Sequence, residues 1–475
     1  MNRPCVYMTL MLRDMGTILS LALPGLVCLA GILWAYIIVG AWRPAAEHRG
    51  GYWALEAILL ICGPITTVAI AMYPPGGTPS VFQEINHGAN LTAVVLAAWV
   101  ILKAVSHPRK NAGWVTFAVL TFYAVLGVST VAGVVPDFPE AYWTTPLVVL
   151  AFLVYGGYSS EWLLKMSRLV IRIIVVLSFA AILLLPQIVF NLEEARTVFG
   201  IHRLQGLMGH PNGFAALAVV GFMLELHARS RLIWRGMFLV AVILAQSTTG
   251  IIALVIGLLV MTNALSKAFR VALYLGAVAT LLIALFGGNQ WLMSTFVPEQ
   301  AGTLTGRTAI WAAALVGFQL NPWFGYGPTL LGQEYRNSYL PNFDAAAQAH
   351  NQFVQTLGGE GITGLASLVI LISVLLFAAF RVRKSTDGLS VALVMYLVVR
   401  GVTETPLRPA GPGSTTFILI VVFGLLVATL SEIAAESPAI DDHAKSRSQP
   451  KLEGRTIRAE GTGGEAPHQS TARSL

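Results

Sequence analysis

The amino-acid sequence predicts an all-α protein, a polytopic membrane helix bundle of about 12–13 transmembrane helices. Apolar residues make up 56% of the chain and charged residues only 11%. The apolar residues are gathered in runs that approach the roughly 20 residues needed to cross a bilayer as a helix. Because the charged residues fall in short gaps between these runs, no soluble domain of ordinary size has room to fold. We therefore expect one multi-span membrane domain over residues 1–430.

The spans follow from the apolar runs in order. They are predicted at residues 17–40, 53–73, 89–106, 114–134, 145–159, 169–190, 212–228, 236–247, 250–265, 271–287, 362–380, 388–403 and 414–430. The runs 236–247 and 250–265 are short. Ser247, Thr248 and Thr249 between them predict either a tight turn or the break in one helix.

Loops rich in Lys and Arg alternate along the chain with loops that are poor in them. This pattern predicts the orientation, because cationic flanks are retained in the cytoplasm. The other loops carry few cations and are placed outside. Thirteen spans with a cytoplasmic tail would put the amino terminus outside. Arg3 and Arg13, however, favour a cytoplasmic amino terminus, so the span count stays open. The predicted cytoplasmic cations are Arg43, Arg49, Arg109, Lys110, Lys165, Arg168, Arg229, Arg231, Arg235, Lys267, Arg270, Arg381, Arg383 and Lys384.

Charge and cysteine content exclude several classes of function. The net charge of +7 is accounted for by the cytoplasmic loops, so it does not indicate nucleic-acid binding. Three cysteines give no disulfide framework. Only His227 among the nine histidines lies inside a predicted span, so we expect no haem, no metal and no other cofactor. The polar tail, residues 431–475, is predicted to be disordered and cytoplasmic.

The outer loop after Asn191 is the first candidate site. It contains Arg203 and His210 directly before the next span, although the outer loops otherwise avoid cations. An anionic ligand would explain Arg203. Snorkelling to lipid headgroups, or pairing with Glu193 or Glu194, explains it equally well.

The large outer segment 288–361 is the second candidate. Apolar spacing after Gly306 predicts a helix with Arg307 at its entry, which Asn321 and Pro322 end. The sequence NPWFGYGP then gives a turn whose aromatic residues, Tyr326 among them, suit the membrane interface or stacking on sugars.

A short helix is predicted from Ala345, ended by Gly358 and Gly359. It would place His350 on one face, with Asn351 and Gln355 on a neighbouring face. A lone exposed histidine is more often incidental than catalytic. The two arginines in comparable outer loops nevertheless favour a chemical role for His350.

Together, GRTAIW, NPWFGYGP and AHNQFVQTLGGEGITG, preceded by RLQGLMGHPNGFA and the STTG turn, resemble the bacterial O-antigen ligase and Wzy-type polysaccharide polymerase superfamily. The resemblance covers about Arg203 to Gly364. It implies a multi-span inner-membrane protein of C-type glycosyltransferase character, with its site facing the periplasm. By position, Arg203, Arg307 and His350 match the arginines and the histidine of that family.

The family takes a glycan from undecaprenyl diphosphate and passes it to another acceptor, and these residue types suit that reaction. Arginines can stabilise the departing diphosphate without a metal ion. An imidazole, which ordinarily titrates near ~6.5, is suited to deprotonating an acceptor hydroxyl at neutral pH. We expect His350 and Arg307 to be catalytic, with Arg203, His210, Asn351, Gln355 and Tyr326 binding substrate.

The implied partners are the lipid-linked donor, a glycan or lipid A core acceptor, membrane lipids and, left open, a chain-length regulator. Polymerase and ligase activities are not separated, although a repeat-unit or exopolysaccharide polymerase is slightly favoured. A transporter or flippase of lipid-linked sugars is the alternative from another class, and a non-catalytic scaffold is the third. The transporter is disfavoured because Glu56, Arg172, Glu225 and Arg400 lie near predicted span ends and not near mid-membrane.

Overall fold

The structure is a computed structural model that describes residues 52–72, 81–109, 113–192, 197–198, 201–261, 302–341 and 347–448, together with Lys267, Val271 and Leu275. The predicted span 17–40 lies outside the described residues. Of the predicted span 271–287, only Val271 and Leu275 are described. The described residues form an all-α membrane-type helix bundle, as predicted, with one small sheet.

The described helices are, in chain order, α1 (Tyr52–Ala71), α2 (Val81–Ala104), α3 (Gly113–Ala132), α4 (Ala141–Val154), α5 (Ser160–Leu184), α6 (Pro186–Val189), α7 (Pro211–His227), α8 (Leu232–Ala245), α9 (Thr248–Val260), α10 (Gly302–Leu320), α11 (Gln333–Tyr339), α12 (Gln352–Arg381), α13 (Leu389–Thr403) and α14 (Ser414–Ser448). Among them α1, α2, α3, α5, α12 and α14 are long and apolar enough to cross a membrane. Four shorter apolar helices, α4, α8, α9 and α13, accompany them. Each predicted span that is fully described overlaps one of the described helices, although several ends differ, and the predicted span 169–190 also takes in α6 and Phe190.

The STTG turn separates two helices and does not break one. Gln246 has a left-handed φ of 49° and ends α8, and the Ser247 hydroxyl accepts the Gly250 N–H at 3.2 Å to cap α9. The turn therefore consists of Gln246 and Ser247, since Thr248 and Thr249 already belong to α9. A serine cap and a left-handed residue together fix such a helix–helix corner.

A three-stranded antiparallel sheet interrupts the all-α pattern in the loop after α6. Its strands are β1 (Phe190–Asn191), β2 (Thr197–Val198) and β3 (Ile201–Leu204), in the order β1-β3-β2. Asn191 pairs with Arg203 in its register. Strands of two to four residues are too short to show a period-two pattern, so the sequence predicted a plain loop here.

The predicted helix from Ala345 to Gly358 is wrong in its start and its end. Residues 347–350 are not helical, and α12 begins at Gln352 after the capping residue Asn351. The helix then passes Gly358 and Gly359 and joins the predicted span 362–380, with one non-helical residue, Gly361, at φ 67°. His350 therefore precedes the helix and does not lie on its face.

The NPWFGYGP loop packs on the α12 kink and bonds its exposed backbone. Tyr326 N–H donates to the Gly358 carbonyl at 2.9 Å and Gly327 N–H to the Gly359 carbonyl at 2.8 Å. Past the kink, Ile362 N–H donates to the Pro322 carbonyl at 2.8 Å. Glycine is required at this crossing, because a Cβ on Gly361 would lie 2.4 Å from the Trp323 carbonyl carbon.

The buried side chains form one main core among α1–α5, α7–α9 and α12–α14, and a local core under the motif segment. The local core contains Ile310 and Ala314 of α10, Leu330, Tyr335 of α11 and Ala349. Residues up to Glu432 form one compact unit, and residues from Ile433 onward form a second. The predicted domain limits at residues 288, 361 and 430, and the disorder of the tail, stay predictions.

Candidate functional site

His350 stands in a tight turn directly before α12, with a left-handed φ of 49°. Asn351 caps the helix, because its Oδ1 accepts the N–H groups of Phe353 and Val354 at 2.9 and 3.1 Å. Gln355 Oε1 accepts the Ala349 N–H at 2.9 Å, and Trp311 Nε1 donates to the Ala349 carbonyl at 2.8 Å. The turn that presents His350 is thus held from both sides. The predicted substrate contacts of Asn351 and Gln355 stay predictions.

The partner of His350 is Glu404, the residue that ends α13. His350 Nδ1 donates to Glu404 Oε2 at 3.0 Å. The same carboxylate accepts from Asn212 Nδ2 at 2.7 Å and from Gln348 Nε2 at 3.3 Å. Glu404 is buried, with 6% of its surface exposed, whereas the His350 side chain is 27% exposed.

Glu404 is ionised at neutral pH. Burial alone raises the pKa of a carboxyl group, because it penalises the charged form. Here the hydrogen bond and charge of His350, the hydrogen bond from Asn212 and the charge of Arg400 together outweigh burial, so the pKa of Glu404 lies below its ordinary value. A carboxylate can only accept hydrogen bonds, and it therefore fixes the His350 proton on Nδ1.

Arg203 extends this chain of contacts. It lies on β3 with 4% of its surface exposed, and its Nη2 donates to Asn212 Oδ1 at 2.9 Å. Its Nε donates to the Ala245 carbonyl at the end of α8 at 3.2 Å. Asn212 therefore bridges Arg203 and Glu404, and the structure brings two of the predicted site residues, Arg203 and His350, into one network.

An open cleft of about 410 Å³ lies beside this network. His210, Asn212, Gln348, Arg400, Glu404 and Arg408 supply most of its charged and amide lining. His210 also caps α7, because its Nδ1 accepts the Asn212 N–H at 3.2 Å. Glu404 is thus in contact both with His350 and with the space that a substrate can occupy.

Arg307 and Tyr326 neither line the cleft nor belong to the groups that act on Glu404. Arg307 is half-buried on α10, one helical turn before Trp311, whose indole reaches the residue preceding His350. The Tyr326 ring packs edge-on against Tyr335 at 4.5 Å between centroids, in the local core. Their predicted roles in catalysis and substrate binding stay predictions.

Sequence reasoning missed Glu404, Asn212, Gln348, Arg400 and Arg408. Arg400 and Glu404 are four residues apart at the end of a predicted span that leads to an outer loop. Charged residues at such a span end are costly, and this was the available signal. The contact of Glu404 with His350, however, joins positions 54 residues apart, which local spacing does not reveal.

Chemically, this arrangement makes His350 a proton acceptor with a fixed orientation. With Nδ1 holding its proton against Glu404, Nε2 keeps a free lone pair. The carboxylate also stabilises the imidazolium that forms when Nε2 takes a proton. Among the described residues, no group of three or more His, Cys, Asp and Glu side chains is placed to hold a metal ion, and metal independence stays a prediction.

No curated protein matches the chain. A family model described as O-antigen ligase matches residues 236–369. This region contains Arg307, Tyr326, His350, Asn351 and Gln355, and it ends before Glu404. The match supports the resemblance to the O-antigen ligase and polymerase superfamily for the motifs within residues 236–369, and Arg203 and His210 lie outside it.

Proposed function

We propose that the protein is an inner-membrane glycan transferase that moves an undecaprenyl-diphosphate-linked oligo- or polysaccharide to an acceptor on the periplasmic face. The acceptor is a growing repeat-unit chain, of O-antigen or exopolysaccharide, or the core of lipid A. The observation that carries the proposal is the Glu404-bound His350 beside an open cleft, in a chain whose motif region matches the O-antigen ligase family.

His350 acts as the general base in this mechanism. The acceptor hydroxyl gives its proton to His350 Nε2 while its oxygen bonds to the anomeric carbon of the donor sugar. The bond from that carbon to the diphosphate breaks, and its electron pair leaves on the diphosphate oxygen. Glu404 keeps the imidazole in the required tautomer and offsets its new positive charge.

The diphosphate is already a good leaving group, so the second requirement is positive charge near its oxygens. Guanidinium groups supply this charge at every physiological pH and bind phosphate oxygens in a planar fork. Arg307, one turn from Trp311, is the arginine of the family motif. We therefore propose transfer that needs no divalent ion.

The test is transfer by purified protein in liposomes, with undecaprenyl-diphosphate-linked oligosaccharide as donor and EDTA present. Wild-type protein should give glycosylated product, read from gel mobility. A ladder of products assigns a polymerase, and a single shift with lipid A core as acceptor assigns a ligase. Abolition of transfer by EDTA, with rescue by Mg²⁺, would contradict metal independence.

The transporter alternative predicts a different outcome in the same liposomes. Donor would become accessible on the opposite leaflet without any change in its glycan. Such movement, combined with no product for any acceptor, would replace the transferase proposal.

A further inference from the structure

We propose that Arg400 is the principal ligand for a phosphoryl group in the cleft beside His350, and that this group is the diphosphate of the lipid-linked donor. The inference rests on the proposed function and names which side chain of the same site holds the leaving group. It differs from the sequence prediction, which gave this role to Arg203 and Arg307.

Arg203 is poorly placed to bind a ligand in a bidentate way through its guanidinium group. Only 4% of its surface is exposed, and two of its nitrogens donate to Ala245 and Asn212. Its contacts brace β3 against α7 and the end of α8. A residue used in this way positions Asn212, and through it Glu404.

The Arg400 guanidinium makes one hydrogen bond to the described residues. It lies in the last turn of α13 and lines the cleft, and its Nη1 donates to the Tyr396 hydroxyl at 3.1 Å. Its Nε is buried and has no hydrogen-bond partner among the described residues. A guanidinium with a single hydrogen bond to protein is under-satisfied, and a small rotation of the Arg400 side chain would let a phosphoryl oxygen in the cleft supply a further acceptor.

The rest of the cleft also favours an anion. Two long helices begin there, since Asn212 and Gly213 of α7 and Thr415 of α14 line it. Helix amino termini carry partial positive charge and free N–H groups. Arg408 adds a second guanidinium to the lining.

The acidic residue of the cleft does not cancel this positive field. The Glu404 carboxylate already accepts hydrogen bonds from His350, Asn212 and Gln348. These donors stabilise the carboxylate, and the two guanidinium groups of Arg400 and Arg408 outnumber this one carboxylate in the cleft lining. The cleft volume, about 410 Å³, also leaves room for a diphosphate with an attached sugar.

Arg400 is also correctly placed relative to the base. Arg400 and Glu404 line the same cleft, and the charge of Arg400 helps to lower the pKa of Glu404, so the two side chains are close together. A phosphoryl group held by Arg400 would therefore lie close to the Glu404-bound His350. Glu404 therefore connects the proposed phosphoryl site to the base, since it lines the cleft and is bonded to His350, which does not itself line it.

The experiment measures binding of undecaprenyl diphosphate to detergent-purified full-length protein. Arg400→Gln should weaken binding about 10- to 100-fold, and Arg400→Lys should recover part of it. Arg383→Gln, which removes an exposed arginine just after α12, is the matched control and should bind as wild type. Tyr396→Phe keeps the guanidinium and should also retain binding, which separates loss of charge from damage to α13.

Two further probes identify the source of the phosphoryl group. Inorganic pyrophosphate should compete with undecaprenyl diphosphate in wild type and lose that effect in Arg400→Gln. Phosphatidylglycerol vesicles should bind wild type and Arg400→Gln equally. A loss of vesicle binding as large as that of undecaprenyl diphosphate would assign the site to lipid headgroups and overturn the donor assignment.

Failure of this inference and of the proposed function are distinguishable. If Arg400→Gln binds undecaprenyl diphosphate as tightly as wild type, the proposed role of Arg400 is wrong, whatever the transfer assay shows. His350→Gln should bind undecaprenyl diphosphate normally, so its loss of transfer reports on the base alone. In transfer kinetics, Arg400→Gln should raise the donor KM, which a merely structural arginine would not do selectively.

Discussion

At the scale of single residues, the feature that matters most is the carboxylate beneath His350. Glu404 accepts from His350, Asn212 and Gln348, and these donors come from two distant segments, the turn before α12 and the start of α7. Its burial makes these contacts strong, because a buried ionised group depends on its hydrogen-bond partners. The orientation of the base is thus built from parts that are distant in sequence.

Replacing this carboxylate by an amide tests its role in catalysis. Glu404→Gln keeps the size of the side chain but removes the charge that stabilises the imidazolium, so the transfer rate should fall about 10- to 100-fold. Donor KM should change less than kcat. Steady-state transfer kinetics check this, and an unchanged kcat would show that His350 does not depend on Glu404.

The lowered pKa of Glu404 also predicts how stability depends on pH. Because this pKa is lower in the folded than in the unfolded protein, the carboxylate adds stability above the ordinary glutamate range and loses it as pH falls through the folded pKa. The Tm of wild type should therefore decline in acid. The decline should be smaller in Glu404→Gln, and parallel Tm–pH curves for the two proteins would contradict the shift.

At the scale of elements, the kinked helix α12 and the loop that packs on it determine where His350 stands. The kink at Gly361 exposes backbone groups that the NPWFGYGP loop bonds. Asn351 starts the helix directly after His350. The NPWFGYGP loop and the kinked part of α12 therefore form one packed unit, in which glycines allow the two backbones to come into contact.

Gly361→Ala tests this unit. The substitution adds a Cβ at φ 67°, 2.4 Å from the Trp323 carbonyl carbon, so it should lower stability by about 1–3 kcal/mol or more and reduce transfer. Gly209→Ala is the matched control, since Gly209 has φ 66° but an added Cβ would meet nothing within 4 Å. Thermal unfolding of both variants separates backbone strain from the clash. Equal losses of Tm would show that the loop contact is unimportant.

At the scale of the whole molecule, the spans were largely predictable and the site was only partly so. The apolar runs were enough to predict the spanning helices, because a helix needs about 20 consecutive apolar residues to cross a bilayer. Arg172 was placed near a span end, but α5 begins at Ser160, so Arg172 lies well inside it and pairs with Glu225 at 2.6 Å. Glu404 and Asn212 could not be predicted as partners of His350, because their contacts depend on how the helices pack.

The orientation of the helix bundle in the membrane stays a prediction, but two loops predicted to share one side lie together. Arg109 donates to the carbonyls of Tyr155 and Tyr158, so two loops predicted to be cytoplasmic lie together. In a background without native cysteines, Ala410→Cys beside the cleft should react with an impermeant thiol reagent added from the periplasm, and Lys384→Cys should react only from the cytoplasm. The reverse labelling would place the cleft on the cytoplasmic face.

The most direct test of the central claim is the rate of glycan transfer by His350→Ala, compared with wild type and with His87→Ala in liposomes containing EDTA. His87 is exposed near the start of α2 and serves as the matched control. If His350 is the general base, its removal should lower the rate about 100- to 10,000-fold while His87→Ala keeps wild-type activity. A rate for His350→Ala within a few-fold of wild type would contradict the account.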